Sequence, residues 1–202
     1  MLPPQEASLF FRLHKTLLLF ANQNVHLLSA DVASQGDFDK TCLNETAKLR
    51  DALWERPDLL ESFVEENPAK LSGDELAIVS SWRHRVAGKF YVFRELKKYS
   101  VFLSSSRPTV AYGVIPLTQP LDEIVPFLPI LTETVLVPFR DKIIYDGFLR
   151  PYNVSFGPGI RRDLNEGYQE AKDRMGIVTS LPVDARYASD RRPTERLSAT
   201  SG

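Results

Sequence analysis

The chain has 202 residues, 43% of them apolar and 25% charged, with a net charge of −1 and a pI near 6.3. This balance suits a chain that buries a core, and it excludes fibrous, low-complexity and wholly disordered classes. One cysteine, Cys42, excludes an intramolecular disulfide framework and a cysteine-based zinc site, and three histidines, His14, His26 and His84, are too few for a His/Cys metal cluster.

Residues 6–28 read as a helix, because Phe10, Leu13, Leu17, Phe20, Asn24 and Leu27 recur at alternating steps of three and four. Phe11, Leu18 and Val25 form a second apolar stripe beside the first, so the helix reads as a buried core element. The alternative is a self-association seam over 6–28. A polar loop over 30–41 precedes a helix over 42–56, which stops before Pro57. A short helix over 57–67 starts with Pro57 or Asp58 in its first turn and is stopped by Asn67-Pro68. Ser72 and Glu75 have the spacing of a capping box, and a helix runs from it with Ile78, Val79, Trp82 and Val86 on one face, ending at Gly88.

At Lys89 the pattern changes to β-branched and aromatic runs, "KFYVFREL", "YSVFLSS" and "TVAYGVI", separated as in an antiparallel meander. A short helix is expected over 119–128, then strands "ILTETVLV" and "KIIY" joined through residues 138–141. Asp146-Gly147 is a two-residue hairpin signal. After it, Phe148, Tyr152, Val154 and Phe156 share one face of a strand, with Pro151 marking a sheet edge. Ile160, Leu164, Tyr168, Ala171 and Met175 then predict a long C-terminal helix over 159–175, stopped by Gly176. From 184 to 202 the chain turns polar and is expected to be disordered.

These elements predict one α+β domain over 1–181: a helical part at 5–88, a mainly β part at 89–156 and the helix at 159–175. The helical half should pack on an antiparallel sheet of five or six strands that could curve into a barrel. No basic n-region or cleavage site marks a secretory signal, and "TLLLFA" at 16–21 is too short to span a bilayer, which points to a cytoplasmic protein with no membrane contact.

The strings "LRDALWERPDLLESFVEENPAKLSGDELAIVSSW" (49–82), "FRELKKYSVFL" (93–103) and "VPFRDKIIYDGFL" (137–149) are similar to a group of bacterial proteins without an established activity, over about residues 45–181. The resemblance implies a bacterial cytoplasmic setting and no particular chemistry.

Charge is divided along the chain. Residues 31–75 hold twelve acidic and five basic side chains, whereas 76–107 hold seven basic and one acidic. Such a split reads first as two complementary surfaces, and otherwise as a basic patch for a polyanion or nucleic acid formed by Arg83, His84, Arg85, Lys89, Lys97 and Lys98 with tyrosines interleaved. The pI of 6.3 and the absence of a reader motif argue against a dedicated nucleic-acid binder.

"SFGPGIRRDLNEGY" at 155–168 carries a G-x-G at Gly157 and Gly159 but has Arg162 in place of a third glycine, so it is no dinucleotide fingerprint. Gly157 or Ser155 as cap, with Pro158 in the first turn, is an ordinary helix start. Arg161 and Arg162 stand at the positive end of that helix, where a nearby negative group would offset a cost of about 0.3–1 kcal/mol each. A small-anion site at Gly157, Gly159, Arg161 and Arg162 is therefore one expectation, and compensation by Asp163 and Glu166 is the other.

Strand alternation places Arg94 and Glu133 on apolar faces, so either each sits where its strand reaches the sheet edge or the two form a buried Arg94–Glu133 ion pair. Glu133 facing a cavity would be the one weak candidate for a general base. No metal site and no cofactor are expected. The leading functional expectation is a non-enzymatic cytoplasmic binding or regulatory module that works through a protein partner or as a homodimer. The alternatives are an enzyme acting on a phosphorylated or nucleotide substrate, and nucleic-acid binding through residues 83–98.

Overall fold

Helix α1 (Pro4–Val25) starts with a proline at its first position and ends where His26 takes a left-handed conformation. The computed structural model of the protein describes residues 1–183 except 30, 31, 33, 39 and 126, and gives the backbone alone at 35 and 122. The polar tail expected at 184–202 lies outside the described residues. No described helix is long and apolar enough to cross a membrane.

Phe10, Leu13, Leu17 and Leu18 of α1 are at most 1% exposed, covered by the chain's own core. The seam that a helix–helix dimer over 6–28 would use is therefore taken up inside the fold. Its last predicted members lie off it: Asn24 is exposed and Leu27 is half-exposed beyond the helix end. Asn22 Oδ1 instead accepts the Leu28 N–H at 2.8 Å, turning the chain out of the helix.

The short helix α2 (Gln35–Phe38) precedes α3 (Leu43–Glu55), α4 (Pro57–Glu66) and α5 (Gly73–Ser81). Leu49 and Leu53 of α3, Leu59, Leu60 and Phe63 of α4, and Ile78 and Val79 of α5 are buried in the same core as α1. The capping box is formed: Ser72 Oγ accepts the Glu75 N–H and Glu75 Oε2 accepts the Ser72 N–H. The predicted continuation to Gly88 does not occur. After α5 a single 3-10 turn over Trp82–His84 leads into β1 (Val86–Glu95), because residues 86–92 pair with a strand far along the chain. Tertiary pairing overrides the helical spacing of Val86.

The remaining strands are β2 (Ser100–Ser104), β3 (Ala111–Val114), β4 (Ile130–Phe139), β5 (Lys142–Tyr145) and β6 (Arg150–Pro151), with a short helix α6 (Leu121–Ile124) between β3 and β4. β1 pairs with β4 along its first part and with β2 along its second, and the pairings β1–β2–β3–β5–β4–β1 close a circuit. The sheet is mixed rather than wholly antiparallel, because β3 and β5 run parallel where Val114 meets Ile143. The connection between them contains α6 and all of β4, long enough for the crossover that a parallel pair needs.

Asp146-Gly147 does not turn a hairpin. β5 and β6 both lie antiparallel to β4 on the same side, with Leu136 opposite Tyr145 and then Glu133 opposite Arg150. Between these pairs β4 advances three residues and its partner five, so residues 146–149 form a two-residue bulge. Gly147 takes φ +91 there, and Asp146 turns inward with no exposed surface. The predicted strand over 148–156 shrinks to β6, paired through Thr132 and Glu133 of β4.

The C-terminal helix α7 (Pro158–Met175) has Gly157 as cap and ends at Gly176. Tyr168 and Ala171 pack on Phe93, Val101, Leu103 and Ala111, a second core on the outer face of the sheet. Val178 then bonds beside β3, accepting the Gly113 N–H and donating to the Ala111 carbonyl, both at 2.8 Å. This places the end of α7 and residues 181–183 beside the first residues of β1, where the candidate site lies.

Candidate functional site

Two charged arrangements stand out, one inside the core and one in a surface groove. Inside, Asp146 accepts Arg50 Nε at 2.5 Å, an Arg50 terminal nitrogen at 3.1 Å and Trp54 Nε1 at 2.8 Å. The α3 spacing puts Arg50 and Trp54 one helical turn apart on one face, so both reach the bulge together. Arg50 also donates to Asp51 at 2.7 Å, Arg150 donates to the other Asp51 oxygen at 2.8 Å, and Glu133 accepts the Tyr152 hydroxyl at 3.0 Å with Arg150 4.0 Å away. A relay of alternating charge thus runs from buried Asp146 to the half-exposed Glu133. Burial opposes the charge of Asp51, but the hydrogen bonds from Arg150 and Arg50 outweigh it and hold that carboxyl below the usual range.

His14 lies next to this cluster, stacked between Phe10 and Trp54 with ring centroids 5.5 and 5.9 Å away. Among the described residues its Nε2 has no hydrogen-bond partner, and neither does the buried Nε1 of Trp82, whose ring meets His14 edge-on. Burial pushes the His14 pKa down to about 4, with Asp146 opposing and Arg50 reinforcing the shift. Charge pairing and ring stacking account for this cluster as a structural centre, because Asp146 has no surface open to a ligand.

The surface groove, about 670 Å³ in volume, lies between the start of β1, the β2–β3 loop and the segment after α7. His84, Lys89, Arg107 and Arg174 are among its lining residues together with Ser104, Ser105 and Ser106. No described carboxylate lines it. Val86, Val110 and Leu181 supply apolar surface. β2 pairs with β1 only from Phe90 onward, and Ser105 donates one further bond to the Lys89 carbonyl at 3.0 Å. Below that point β1 has β4 on one side and the groove on the other.

The groove gathers two residues of the predicted basic segment, His84 and Lys89, and leaves the others elsewhere. Arg83 is exposed beside the His84 ring, with Nε 3.3 Å from Nε2. Arg85 lies over the Trp54 ring at 5.1 Å and donates to the Trp54 carbonyl at 2.7 Å. Lys97 and Lys98 sit past the far end of β1, about 30 Å of strand away at the usual rise per residue. The segment is therefore not one continuous patch.

The Arg94–Glu133 pair does not form. The β1–β4 register ends at Val92, and β1 shifts register against β2 between Val92 and Arg94. Arg94 instead reaches α7, donating to Asn165 Oδ1 at 2.8 Å and lying over the rings of Phe93 and Tyr168. Lys89, not Arg94, stands opposite Glu133. Glu133 keeps 40% of its side chain exposed, so it lacks the desolvation that the general-base reading called for.

At the start of α7, Arg161 donates to the carbonyls of Phe156 and Leu128 at 3.1 and 3.3 Å. Arg162 lies 3.7 Å from Glu166 and 4.0 Å from Asp163. The negative groups facing these arginines are thus backbone carbonyls and the helix's own carboxylates. A Cβ built at Gly157 or Gly159 meets nothing within 4 Å, so neither glycine is required by a close approach.

Sequence reading assigned Asp146 to turn chemistry alone and did not single out Arg107 or Arg174 as site residues. The first had a readable signal, a carboxylate inside the apolar run "IIYDGFL". The two arginines had none, since only the fold brings residues 104–107 and 174 to the start of β1. Among the described residues no group of three or more His, Cys, Asp or Glu could hold a metal. The fold is of the α+β class, and no protein-family model, curated protein or solved structure matches the chain.

Proposed function

We propose that this chain is a non-enzymatic binding module that holds an acidic segment of a partner protein in the groove beside β1. The observation that carries the reading is the lining: four basic residues and three serines with no described carboxylate among them. Lys89 Nζ lies over the Tyr152 ring at 5.1 Å and Arg174 donates to the Thr109 carbonyl, which leaves His84 and Arg107 as the principal cations facing the groove. Such a groove attracts negative charge over a distance and offers hydroxyl and guanidinium donors on contact. Its apolar floor favours a peptide over a bare anion, because alternate side chains of a peptide can cover it. The enzyme reading lacks its constellation, since Arg161 and Glu133 bond to separate partners and neither lines the groove.

Fluorescence anisotropy with a labelled short polyglutamate peptide tests the proposal, with a single-stranded RNA oligomer of matched charge as competitor. Arg107→Glu should weaken the peptide about tenfold, whereas Lys98→Glu, past the far end of β1, should leave it unchanged. Preferential binding of the RNA, or peptide binding that ignores Arg107→Glu, would overturn the reading.

A further inference from the structure

The open side of β1 has a definite hydrogen-bonding parity. The Val135 carbonyl accepts the Asp146 N–H at 2.9 Å, and the Leu131 carbonyl accepts the Tyr152 N–H at 2.9 Å. The odd-numbered residues of β4 therefore direct their backbone groups toward β5 and β6. In an antiparallel pair, residues opposite one another either both bond across the gap or both turn away. Ala87 stands opposite Val135 and Lys89 opposite Glu133, so both β1 residues turn their backbone groups away from β4. The bond from Ser105 to the Lys89 carbonyl confirms that direction. Ala87 comes next on the same side, after β2 has ended, and its N–H and C=O face the groove.

The surroundings keep this edge accessible. A Cβ built on Gly88 meets nothing within 4 Å, so the sheet face over the start of β1 is open there. Ala87 and Lys89 are exposed, while Phe90 is buried. Side chains alternate between the faces of a strand, so a segment laid along β1 would present every second residue outward beside Lys89. The intervening residues would point inward, toward the apolar surface of Val86, Val110 and Leu181.

We infer that the partner's acidic segment binds by strand addition: it takes the place beside β1 that β2 vacates, pairing its backbone with Ala87. This inference rests on the groove being the binding site and adds the conformation and pattern of the occupant. The occupant is an extended segment of another protein in which acidic residues alternate with apolar ones. Natural sheets shield free edges with charge or short length, and this edge is short and flanked by cations. The same cations select a negatively charged strand.

The test compares a labelled peptide of alternating Glu and Val with a block peptide of the same composition, on the full chain. The alternating peptide should bind about tenfold more tightly, because only it sets every Glu on the cation side and every Val on the apolar side at once. Single N-methyl groups moved along it should weaken binding at the one amide opposite Ala87 and not at the amides on either side of it, because neighbouring N–H groups turn away from β1. Ala87→Pro removes a groove-facing donor without touching the β1–β4 ladder, and should reduce binding by a similar factor. Equal binding of the two peptides, or N-methyl losses spread evenly along the peptide, overturns strand addition while polyglutamate binding keeps the groove reading. Failure of every acidic peptide overturns both. N-methyl scanning needs no variant of the protein, so it decides the matter even should Ala87→Pro fail to fold.

Discussion

Arg50 and Asp146, ninety-six residues apart in sequence, meet through two nitrogen–oxygen contacts of 2.5 and 3.1 Å with both side chains at most 5% exposed. The pair fastens α3 of the helical layer to the bulge between β5 and β6. Burial weakens the Arg50 charge, but the hydrogen bonds that Arg50 donates to Asp146 and Asp51 raise its pKa on balance.

Removing one partner leaves the other charge buried and unmatched. Asp146→Ala should destabilise the fold by about 3–5 kcal/mol, measured by urea unfolding at neutral pH. Replacing the pair together, as Arg50→Met with Asp146→Leu, should cost much less than either single change, because no charge is then stranded. A double variant as unstable as Asp146→Ala would contradict this account.

His14 makes stability depend on acid. Its folded pKa of about 4 lies below the unfolded value of 6.5, so the unfolded chain binds the proton more readily. Its contribution is therefore complete above pH 6.5 and is lost as the pH falls toward 4. A gap of that size between the folded and unfolded pKa corresponds to a loss of about 3 kcal/mol. His14→Phe keeps the stacked ring and should flatten this part of the stability–pH profile. An unchanged slope between pH 6.5 and 4 would assign the acid sensitivity to carboxylates instead.

The interior position of α1 predicts stability without self-association. Leu17→Ala should cost about 2–5 kcal/mol by leaving a cavity at a fully buried site. The unfolding midpoint of the parent chain should not move with protein concentration. A midpoint that rises with concentration would return α1 to a dimer seam.

The capping box supplies a smaller test of a local bond. Ser72→Ala should destabilise by about 1 kcal/mol, with Ser72→Asp close to neutral. Glu75 also pairs with Arg12 of α1, so Glu75→Ala removes a cap and an inter-helix contact together and should cost more than Ser72→Ala. Denaturant midpoints of the three variants decide the order.

Sequence reading recovered the elements whose cause is local. Ser72 with Glu75, Pro57 after Arg56, Asn67 before Pro68, and Gly176 after Met175 all mark helix ends in the fold, give or take a residue. The apolar stripes of α1 and α7 likewise identified most of their buried faces, with Asn24, Leu27 and Ile160 exposed. The candidate groove was only partly legible: His84 and Lys89 stood out as basic, but nothing in the neighbouring sequence tied them to Arg107 or Arg174.

What the chain alone determined, then, was where helices start and stop and which residues go inside, because caps and amphipathic spacing need only neighbours within a turn or two. Strand partners, the parallel β3–β5 contact, the bulge at Asp146 and the open edge at Ala87 were decided by tertiary structure. Each depends on register between segments tens of residues apart, and a slip of one residue would exchange inside for outside. Asp146-Gly147 shows the difference most plainly. The dipeptide is a turn signal by local conformation, yet opposite β4 and beside Arg50 it becomes a bulge that buries a carboxylate.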